Sequence, residues 1–339
     1  MRYRHVVVRA LGGPEVLEVA EDELPDPGPG EARIKILAAD VGFSDVNIRR
    51  GRYPGAPRPP FTPGYAIVGV VGALGPGTTG LELGQPVAAL TFLGGYSQAI
   101  VLAASELVPV RPGLDPAEAV TLVFNYLAAY QMLHRVARVA SGQRVLVHGA
   151  GGGLGTAFLE LGRLAGLVMY GTASKPKHGL VTSLGATPID YRSEDFVARV
   201  AELTDGAGVD AAFDPMGSAH LRQTARATRH GGALVAYGYY AAAAKGRSAI
   251  RDVVSQYLLL ARSRLPPQRL RVAFYDTRPT RAKHPDWYRE DVGALCTLLA
   301  AGRLHPVIAA RIPLEGVVEA HRRIERADVE GRIVLLPNG

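Results

Sequence analysis

Residues 145–155 read VLVHGAGGGLG, a short apolar run that leads into a glycine-rich loop. The pattern Ala-x-Gly-x-x-Gly falls on Ala150, Gly152 and Gly155, after a predicted strand and at the start of a predicted helix. Small residues there permit a tight turn and let the backbone approach a pyrophosphate, which the N–H groups of the helix N-terminus bind. The alternative is a glycine-rich turn without a ligand. The predicted cofactor contacts are Ala150, Gly151, Gly152, Gly153, Leu154 and Gly155.

The chain around this loop changes character twice. Short apolar runs bounded by Gly and Pro fill the first 120 residues and predict strands, with one helix near 45–51. From about residue 124 predicted strands alternate with predicted helices, which is typical of a parallel, doubly wound sheet. The alternation ends before the last sixty residues, which we expect to rejoin the N-terminal part. We predict an α/β protein with one domain at 1–122 and 279–339 and another at 123–278.

The residues after the second strand of this alternating region favour NADPH over NADH. An NAD site usually has Asp or Glu about 20 residues beyond the glycine loop. Here no acidic residue lies between Glu160 and Asp190, and residues 171–178 read GTASKPKH. Lysines and a hydroxyl would hold the 2′-phosphate that a carboxylate repels. The predicted phosphate contacts are Lys177 first, with Ser174 and Lys175 behind it, although either lysine taken alone could be merely solvated.

Composition limits the functional classes. The chain has 339 residues, 47% apolar and 20% charged, without a continuous apolar stretch long enough for a membrane span. Its single cysteine, Cys296, and the lack of an apparent secretory signal favour the cytoplasm. The net charge is +7, and residues 241–291 carry eleven Lys/Arg against five Asp/Glu. We interpret that segment as a solvated surface, because no nucleic-acid-binding signature accompanies it.

Taken together, these residues resemble the medium-chain dehydrogenase/reductase superfamily over nearly the whole chain. The matching segments are GGPEVL at 12–17, PGYAIVGVV at 63–71, the loop at 149–155 and GRIVL at 331–335. The zinc-free quinone oxidoreductase group is the most similar branch, and NYLAAY at 125–130 resembles its VAT-1-like members. The resemblance implies a GroES-like β domain formed by both chain ends, a Rossmann domain between them, and a homodimer.

The positions that bind zinc in related dehydrogenases hold other residues here. The expected Cys-His pair falls on Gly42 and Phe43, and the Gly-His-Glu motif is replaced by Gly64-Tyr65-Ala66. A single cysteine also rules out the four-cysteine structural zinc lobe of some relatives. The nine histidines show no spacing that suggests a replacement site. We therefore predict a protein without a metal.

Without zinc an alcohol is a poor substrate, whereas a conjugated C=C bond or a quinone accepts hydride more easily. The resemblance implies Tyr53, in RGRYPG, as proton donor to the product enolate, or else as a wall of the pocket. Asp45 matches the pattern of the group and is interpreted as mainly structural, with a catalytic role as the alternative. Asn125 and Tyr130 are expected near the nicotinamide, unless they only pack their helix.

Further cofactor contacts are implied by the same resemblance. Tyr191 matches a tyrosine near the adenosine phosphate, and Tyr237 and Gly238 follow a sheet strand on the nicotinamide side. Tyr239 and Tyr240, followed by the alanines at 241–244, suggest a lid or a pocket wall.

Two functional classes remain open at this point. Gly42 replaces an Asn that is common in quinone reductases, and Ala128 replaces a Thr. Either change could enlarge the pocket or weaken the hold on nicotinamide. The leading hypothesis is an NADPH-dependent reductase of a small quinone, enone or enoyl (acyl-thioester) substrate. The alternative is an NADPH-binding protein with little or no turnover and a scaffold or regulatory role.

Overall fold

The computed structural model describes residues 1–53, 55–238 and 249–339. They form two compact units: Met1–Leu127 with Tyr288–Gly339, and Ala128–Trp287. The predicted lid or pocket wall at 239–244 lies outside the described residues. Within the described residues, no helix combines the length and apolarity needed to cross a bilayer.

The strands, in chain order, are β1 (Arg2–Val8), β2 (Leu17–Glu23), β3 (Glu31–Val41), β4 (Ala66–Leu74), β5 (Pro86–Leu90), β6 (Ala99–Ala103), β7 (Val108–Pro109), β8 (Arg144–His148), β9 (Val168–Ala173), β10 (Ala186–Asp190), β11 (Val209–Asp214), β12 (Thr228–Ala236), β13 (Arg271–Phe274), β14 (Ile308–Pro313) and β15 (Arg332–Leu336).

The α-helices are α1 (Phe43–Arg49), α2 (Pro116–Thr121), α3 (Leu127–Tyr130), α4 (Gly153–Leu164), α5 (His178–Ser183), α6 (Phe196–Leu203), α7 (Ser218–Ala227), α8 (Ala249–Ser263), α9 (Thr277–Lys283), α10 (Pro285–Ala300) and α11 (Val317–Glu325). Two π-helical segments, Leu122–Tyr126 and Gln131–Ala137, adjoin α3. Short 3-10 turns cover Pro14–Val16, Ala104–Glu106, Lys175–Lys177 and Leu314–Gly316.

A seven-stranded sheet dominates the first unit. Its strand order is β14-β15-β3-β4-β5-β7, and β6 also pairs with β3. β15 is antiparallel to β3, with Ile333 opposite Val41 and Leu335 opposite Ala39. Strands β1 and β2 form a separate antiparallel pair. The C-terminal segment thus completes the sheet that the N-terminal segment begins, and this unit is the GroES-like domain.

The second unit is built on a six-stranded sheet in the order β10-β9-β8-β11-β12-β13, in which neighbouring strands are parallel. This is the 3-2-1-4-5-6 order of the Rossmann fold. Its apolar core includes Leu146, Ala212 and Leu234 from central strands, together with Val200 of α6 and Leu221 of α7. The register aligns the last residues of β8, β9 and β11 at one edge of the sheet, where ligands of this fold bind.

Candidate functional site

The glycine-rich loop connects β8 to α4 in the second unit. Gly149 adopts a φ of +70°, and Gly152 N donates to Gly149 O at 3.0 Å. A Cβ at Gly155 would overlap the backbone of Gly149 and Ala150, so the helix can lie this close to the loop only with glycine there. The first N–H groups of α4 have no acceptor within the helix and form the anion-binding end that the sequence predicts.

Thr172, the residue opposite His148 in the β8–β9 register, holds this loop. Ala150 N donates to Thr172 O at 2.9 Å, and Gly149 N donates to Thr172 Oγ1 at 3.3 Å. These contacts of Thr172 depend on the pairing of β8 with β9, so no local pattern in the sequence predicts them.

The predicted phosphate contacts differ in their position. The aliphatic stem of Lys177 lies over the loop, since a Cβ at Gly151 would be 2.8 Å from Lys177 Cδ. Ser174 is half-buried at the start of the same turn and accepts a backbone hydrogen bond from Lys177 N at 2.8 Å. Lys175 is exposed. The fold brings Lys177 to the loop, with Ser174 at the start of the same turn, and leaves Lys175 facing solvent.

The remaining predicted cofactor contacts also lie in the second unit. Tyr191 is exposed beside β10, with the Arg192 guanidinium 5.8 Å from its ring centre. Tyr237 N donates to Asp214 O at 3.0 Å. Gly238 lies so close to the neighbouring backbone that a Cβ would be 2.7 Å from Pro215 O. The Tyr130 ring lies 4.5 Å from that of His134.

Asp45 is fully buried in α1 of the first unit. Its Oδ2 accepts a hydrogen bond from Gly42 N at 2.9 Å, and its Oδ1 accepts one from Gly64 N at 3.1 Å. Burial raises the pKa of Asp45 to about 7; the two N–H groups act to lower this pKa, and nearby Asp40 raises it further. Its contacts are therefore to backbone that positions Tyr65.

Tyr53 and Tyr65 bring two phenol groups together. Their hydroxyl oxygens are 3.1 Å apart. Tyr65 is buried, with its ring 4.8 Å from that of Phe92 and 4.5 Å from that of Phe124, whereas Tyr53 is half-buried. This aromatic shell fixes the Tyr65 ring beside the predicted proton donor. The sequence analysis considered Tyr65 only as the replacement of a zinc ligand.

Asn125 lies in the π-helical segment Leu122–Tyr126 and is buried. Its Nδ2 has no hydrogen-bond partner among the described residues. A buried donor without an acceptor costs about 1–3 kcal/mol, and π-helical turns are common at functional sites. The amide is thus available to a ligand, and the adjoining Phe124 contacts Tyr65.

Comparison with known proteins agrees with this architecture. Residues 28–112 match the alcohol dehydrogenase GroES-like domain family, and residues 184–335 match the zinc-binding dehydrogenase family. A 2-haloacrylate reductase of Burkholderia sp. is 31% identical, over 98% of this chain and 98% of its own length. The chain belongs to the medium-chain dehydrogenase/reductase superfamily.

Solved structures of this superfamily refine the assignment. A Pseudomonas syringae quinone oxidoreductase is 28% identical with a TM-score of 0.87, covering 99% of this chain and 100% of its own. The mycobacterial protein Rv1454c, solved as a complex with NADPH, is 26% identical with a TM-score of 0.85, covering 98% and 100% of the two chains. These relatives confirm the predicted superfamily and its quinone oxidoreductase-like branch.

The positions of the zinc ligands of other medium-chain dehydrogenases are built differently here. Gly42 and Gly64 donate their backbone N–H groups to Asp45, and Tyr65 faces Tyr53. Elsewhere, the fold brings together His148, Asp214 and His220, which the spacing of histidines along the sequence did not reveal.

Proposed function

We propose that this protein is an NADPH-dependent reductase with a metal-free catalytic centre, which transfers hydride to a quinone or to the conjugated C=C bond of an enone or enoyl substrate. The observation that carries the proposal is the Tyr53–Tyr65 hydroxyl pair, in which Tyr65 has the sequence position of a zinc ligand in related enzymes. The similarity to a 2-haloacrylate reductase and to a quinone oxidoreductase supports the same reaction class.

The second unit fits NADPH. Glycine at 151 and 155 lets Lys177 and the start of α4 lie close to the loop, and the α4 N-terminus can bind the pyrophosphate. Lys177 lies beside that loop and Ser174 begins the same turn, and these two residues offer the cation and the hydroxyl that suit a 2′-phosphate. An NADPH complex is known for a relative that covers the whole fold. When bound, the cofactor supplies the hydride. The residues of this chain position the substrate and supply the proton to it.

In this mechanism Tyr53 donates a hydrogen bond to the oxygen of the acceptor, where negative charge develops as hydride arrives. Tyr65, held by its aromatic neighbours, donates to the Tyr53 oxygen, so that a phenolate formed at Tyr53 is stabilised. The buried amide of Asn125 is a further donor for the nicotinamide carboxamide or the substrate oxygen. Asp45 positions Gly64 and Tyr65 and does not itself transfer a proton.

The decisive experiment measures NADPH oxidation against a panel of quinones, small enones and enoyl thioesters, with EDTA present and NADH as control. We expect turnover with NADPH preferred. The Tyr53→Phe variant should lose about 100-fold in kcat, the lower range for a positioned proton donor, with KM little changed. The conservative Tyr3→Phe change in the same unit is the matched control. Binding of NADPH without turnover of any acceptor would favour the alternative, a cofactor-binding protein.

Cofactor preference has its own pair of variants. Lys177→Ala should raise the Kd of NADPH about 10- to 100-fold, the effect of one hydrogen bond to a charged group, and leave the Kd of NADH nearly unchanged. Lys175→Ala, at an exposed position of the same turn, should change neither. Equal effects of the two variants would contradict the assignment of Lys177. Fluorescence titration of the reduced cofactors measures both constants.

We further propose a homodimer formed through the β13 end of the six-stranded sheet. Helix α8, which precedes that strand in the chain, exposes Val254, Tyr257 and Leu258 at helical spacing, and Leu265 is exposed between α8 and β13. Exposed apolar residues at helical spacing beside a sheet edge mark an interaction surface. Leu258→Lys should give a monomer by light scattering, whereas Leu83→Lys should not. The two leucines are equally exposed, at 67% and 68%.

The single cysteine, Cys296, is a free thiol, which agrees with the cytoplasmic location that we retain as a prediction.

A further inference from the structure

Four polar side chains converge at the C-terminal ends of β8 and β11. His148 ends β8, Asp214 ends β11, and His220 and Thr224 lie in α7. His148, Asp214 and Thr224 are buried, and the His220 side chain is 25% exposed. One ligating atom from each of His148, Asp214 and His220 lies within 4.8 Å of the other two.

The distances between these atoms suit a small tetrahedral ion. Asp214 Oδ2 is 2.8 Å from His220 Nδ1 and 2.6 Å from Thr224 Oγ1. Thr224 Oγ1 is 3.1 Å from His148 Nε2 and 3.5 Å from His220 Nδ1. Ligands at the 2.0–2.1 Å typical of Zn²⁺ with nitrogen and oxygen stand roughly 3.3 Å from one another in a tetrahedron. Small adjustments would therefore place four donor atoms around one centre.

The groups behind these atoms orient them as in known metal sites. His148 Nδ1 is 3.0 Å from Thr172 Oγ1, which can accept its proton and leave Nε2 as the ligand. Asp214 Oδ1 accepts hydrogen bonds from Met216 N and Gly217 N at 2.7 and 3.0 Å, which leaves Oδ2 facing the histidines. Both carboxylate oxygens of Asp214 are thus assigned, one to backbone and one to the cluster.

We propose that His148, Asp214 and His220 bind a divalent transition-metal ion, best matched by Zn²⁺, with the Thr224 hydroxyl or a water in the fourth position. Metal binding requires the proton of His148 on Nδ1, where Thr172 Oγ1 accepts it, and the proton of His220 on Nε2, and the Thr224 hydroxyl turns its hydrogen away from the centre. The ion changes no oxidation state. Its role is structural, because His148 precedes the glycine loop directly and Thr172 links the two through Gly149 N. The ion would hold the loop in its pyrophosphate-binding conformation.

The test uses the full chain, freed of any affinity tag and dialysed against EDTA. Calorimetric titration with Zn²⁺ should show one ion per chain, and Co²⁺ should give the intense visible absorption of tetrahedral coordination. His220→Asn, at the most exposed ligand, should weaken Zn²⁺ binding at least tenfold. His230→Asn, at an exposed histidine of β12 in the same unit, should leave it unchanged. Acid should also weaken binding, because protons compete for the imidazoles.

The same four atoms also close a hydrogen-bonded ring without an ion, and the titration separates the two states. No saturable binding to the wild-type chain, or equal binding to His220→Asn, would leave only the ring. The wild-type titration needs no variant, so a variant that fails to fold does not affect it. Zn²⁺ should also raise the Tm and lower the Kd of NADPH while kcat stays constant. Metal binding is measured without cofactor or substrate, so it stands or fails separately from the proposed reductase activity.

Discussion

Asp45 in the first unit and Asp214 in the second are both fully buried, yet their pKa values are shifted in opposite directions. Burial raises the pKa of Asp45 to about 7. The same burial is outweighed at Asp214, whose pKa is about 2 because His220, His148 and Thr224 favour the carboxylate. The donors explain the difference. Asp45 receives two backbone N–H groups and interacts with the Tyr96 hydroxyl, and it has Asp40 as well as Arg332 nearby, whereas Asp214 receives two backbone N–H groups, a hydroxyl and an imidazole and has no second carboxylate among the causes of its pKa shift.

Burial alone therefore does not decide whether a carboxyl group is charged. Each additional donor stabilises the carboxylate, and a second carboxylate nearby does the reverse. The first unit contains a carboxyl group with a pKa of about 7 that accepts a hydrogen bond from Gly64, next to Tyr65. The second contains a carboxyl group with a pKa of about 2, which is ionised at neutral pH.

The largest effect on stability should come from removing Asp214, the carboxylate that accepts more hydrogen bonds. Asp214→Ala leaves four donors without their acceptor and should lower the free energy of unfolding by about 3–5 kcal/mol. Asp45→Ala removes fewer contacts and relieves a costly buried charge, so its loss at neutral pH should be about 1–3 kcal/mol. Urea unfolding followed by circular dichroism compares the two. Equal losses of unfolding free energy in the two variants would mean that the hydrogen-bond donors do not determine the difference between Asp45 and Asp214.

An intermediate effect should appear in the pH dependence of stability. The folded pKa of Asp45, about 7, lies above its unfolded value, so its contribution to stability is greatest at acid pH and is lost as pH rises through 7. At 1.36 kcal/mol per pKa unit the full contribution approaches about 4 kcal/mol. Relative to Asp45→Asn, the wild type should thus become less stable between pH 5 and 8. Buried His148 and His321, whose pKa values are lowered to about 3, act in the opposite direction in both proteins. Parallel curves for the two proteins would show that Asp45 is already ionised.

The contribution of Asp214 falls in a different pH range. Its folded pKa is lowered, so its stabilisation is complete above the unfolded value and is lost as pH falls towards 2. Asp214→Asn should therefore be less stable than the wild type by a constant amount between pH 5 and 8, and this provides the control for Asp45.

The smallest effect should come from Tyr96, a buried residue whose hydroxyl is 3.4 Å from His321 Nε2 and interacts with Asp45. Tyr96→Phe removes one neutral hydroxyl, so the expected loss is about 0.5–1.5 kcal/mol. Loss of this donor should also raise the pKa of Asp45, shifting the pH midpoint of the stability curve upwards. A midpoint that stays in place would assign the hydroxyl to His321 alone.

Much of the fold could be predicted because its signals are local. The alternation of strands and helices after residue 124 predicted the Rossmann unit, and the expectation that the last sixty residues rejoin the N-terminal part agrees with the pairing of β15 with β3. By contrast, β2 reads LEVAEDE, in which apolar residues do not alternate with polar ones along the whole segment, and most of the strand is exposed. Its pairing with β1 makes it a strand. Helix α9 begins at the Asp276 cap within a basic segment that we interpreted only as surface.

In the candidate site, too, some features follow from local sequence signals and others only from contacts between distant residues. The glycine loop and Lys177 lie close in sequence, so turn chemistry and charge could predict them. The Tyr53–Tyr65 contact depends on how α1 and β4 lie in the first unit. His148, Asp214 and His220 meet only because β8 and β11 are neighbours in register. The unpaired amide of Asn125 follows from packing, which no local pattern encodes.

The position of β15 has a consequence for protein synthesis. The second unit is contiguous, and its last strand is translated long before β15. The first unit has no such order, because residues 39–41 of β3 find their partners in residues 333–335. On the ribosome that edge of β3 therefore stays unpaired until translation reaches the final strand, while the Rossmann unit can fold first. Such an edge is open to intermolecular pairing, and it is the part of the nascent chain that most needs a chaperone.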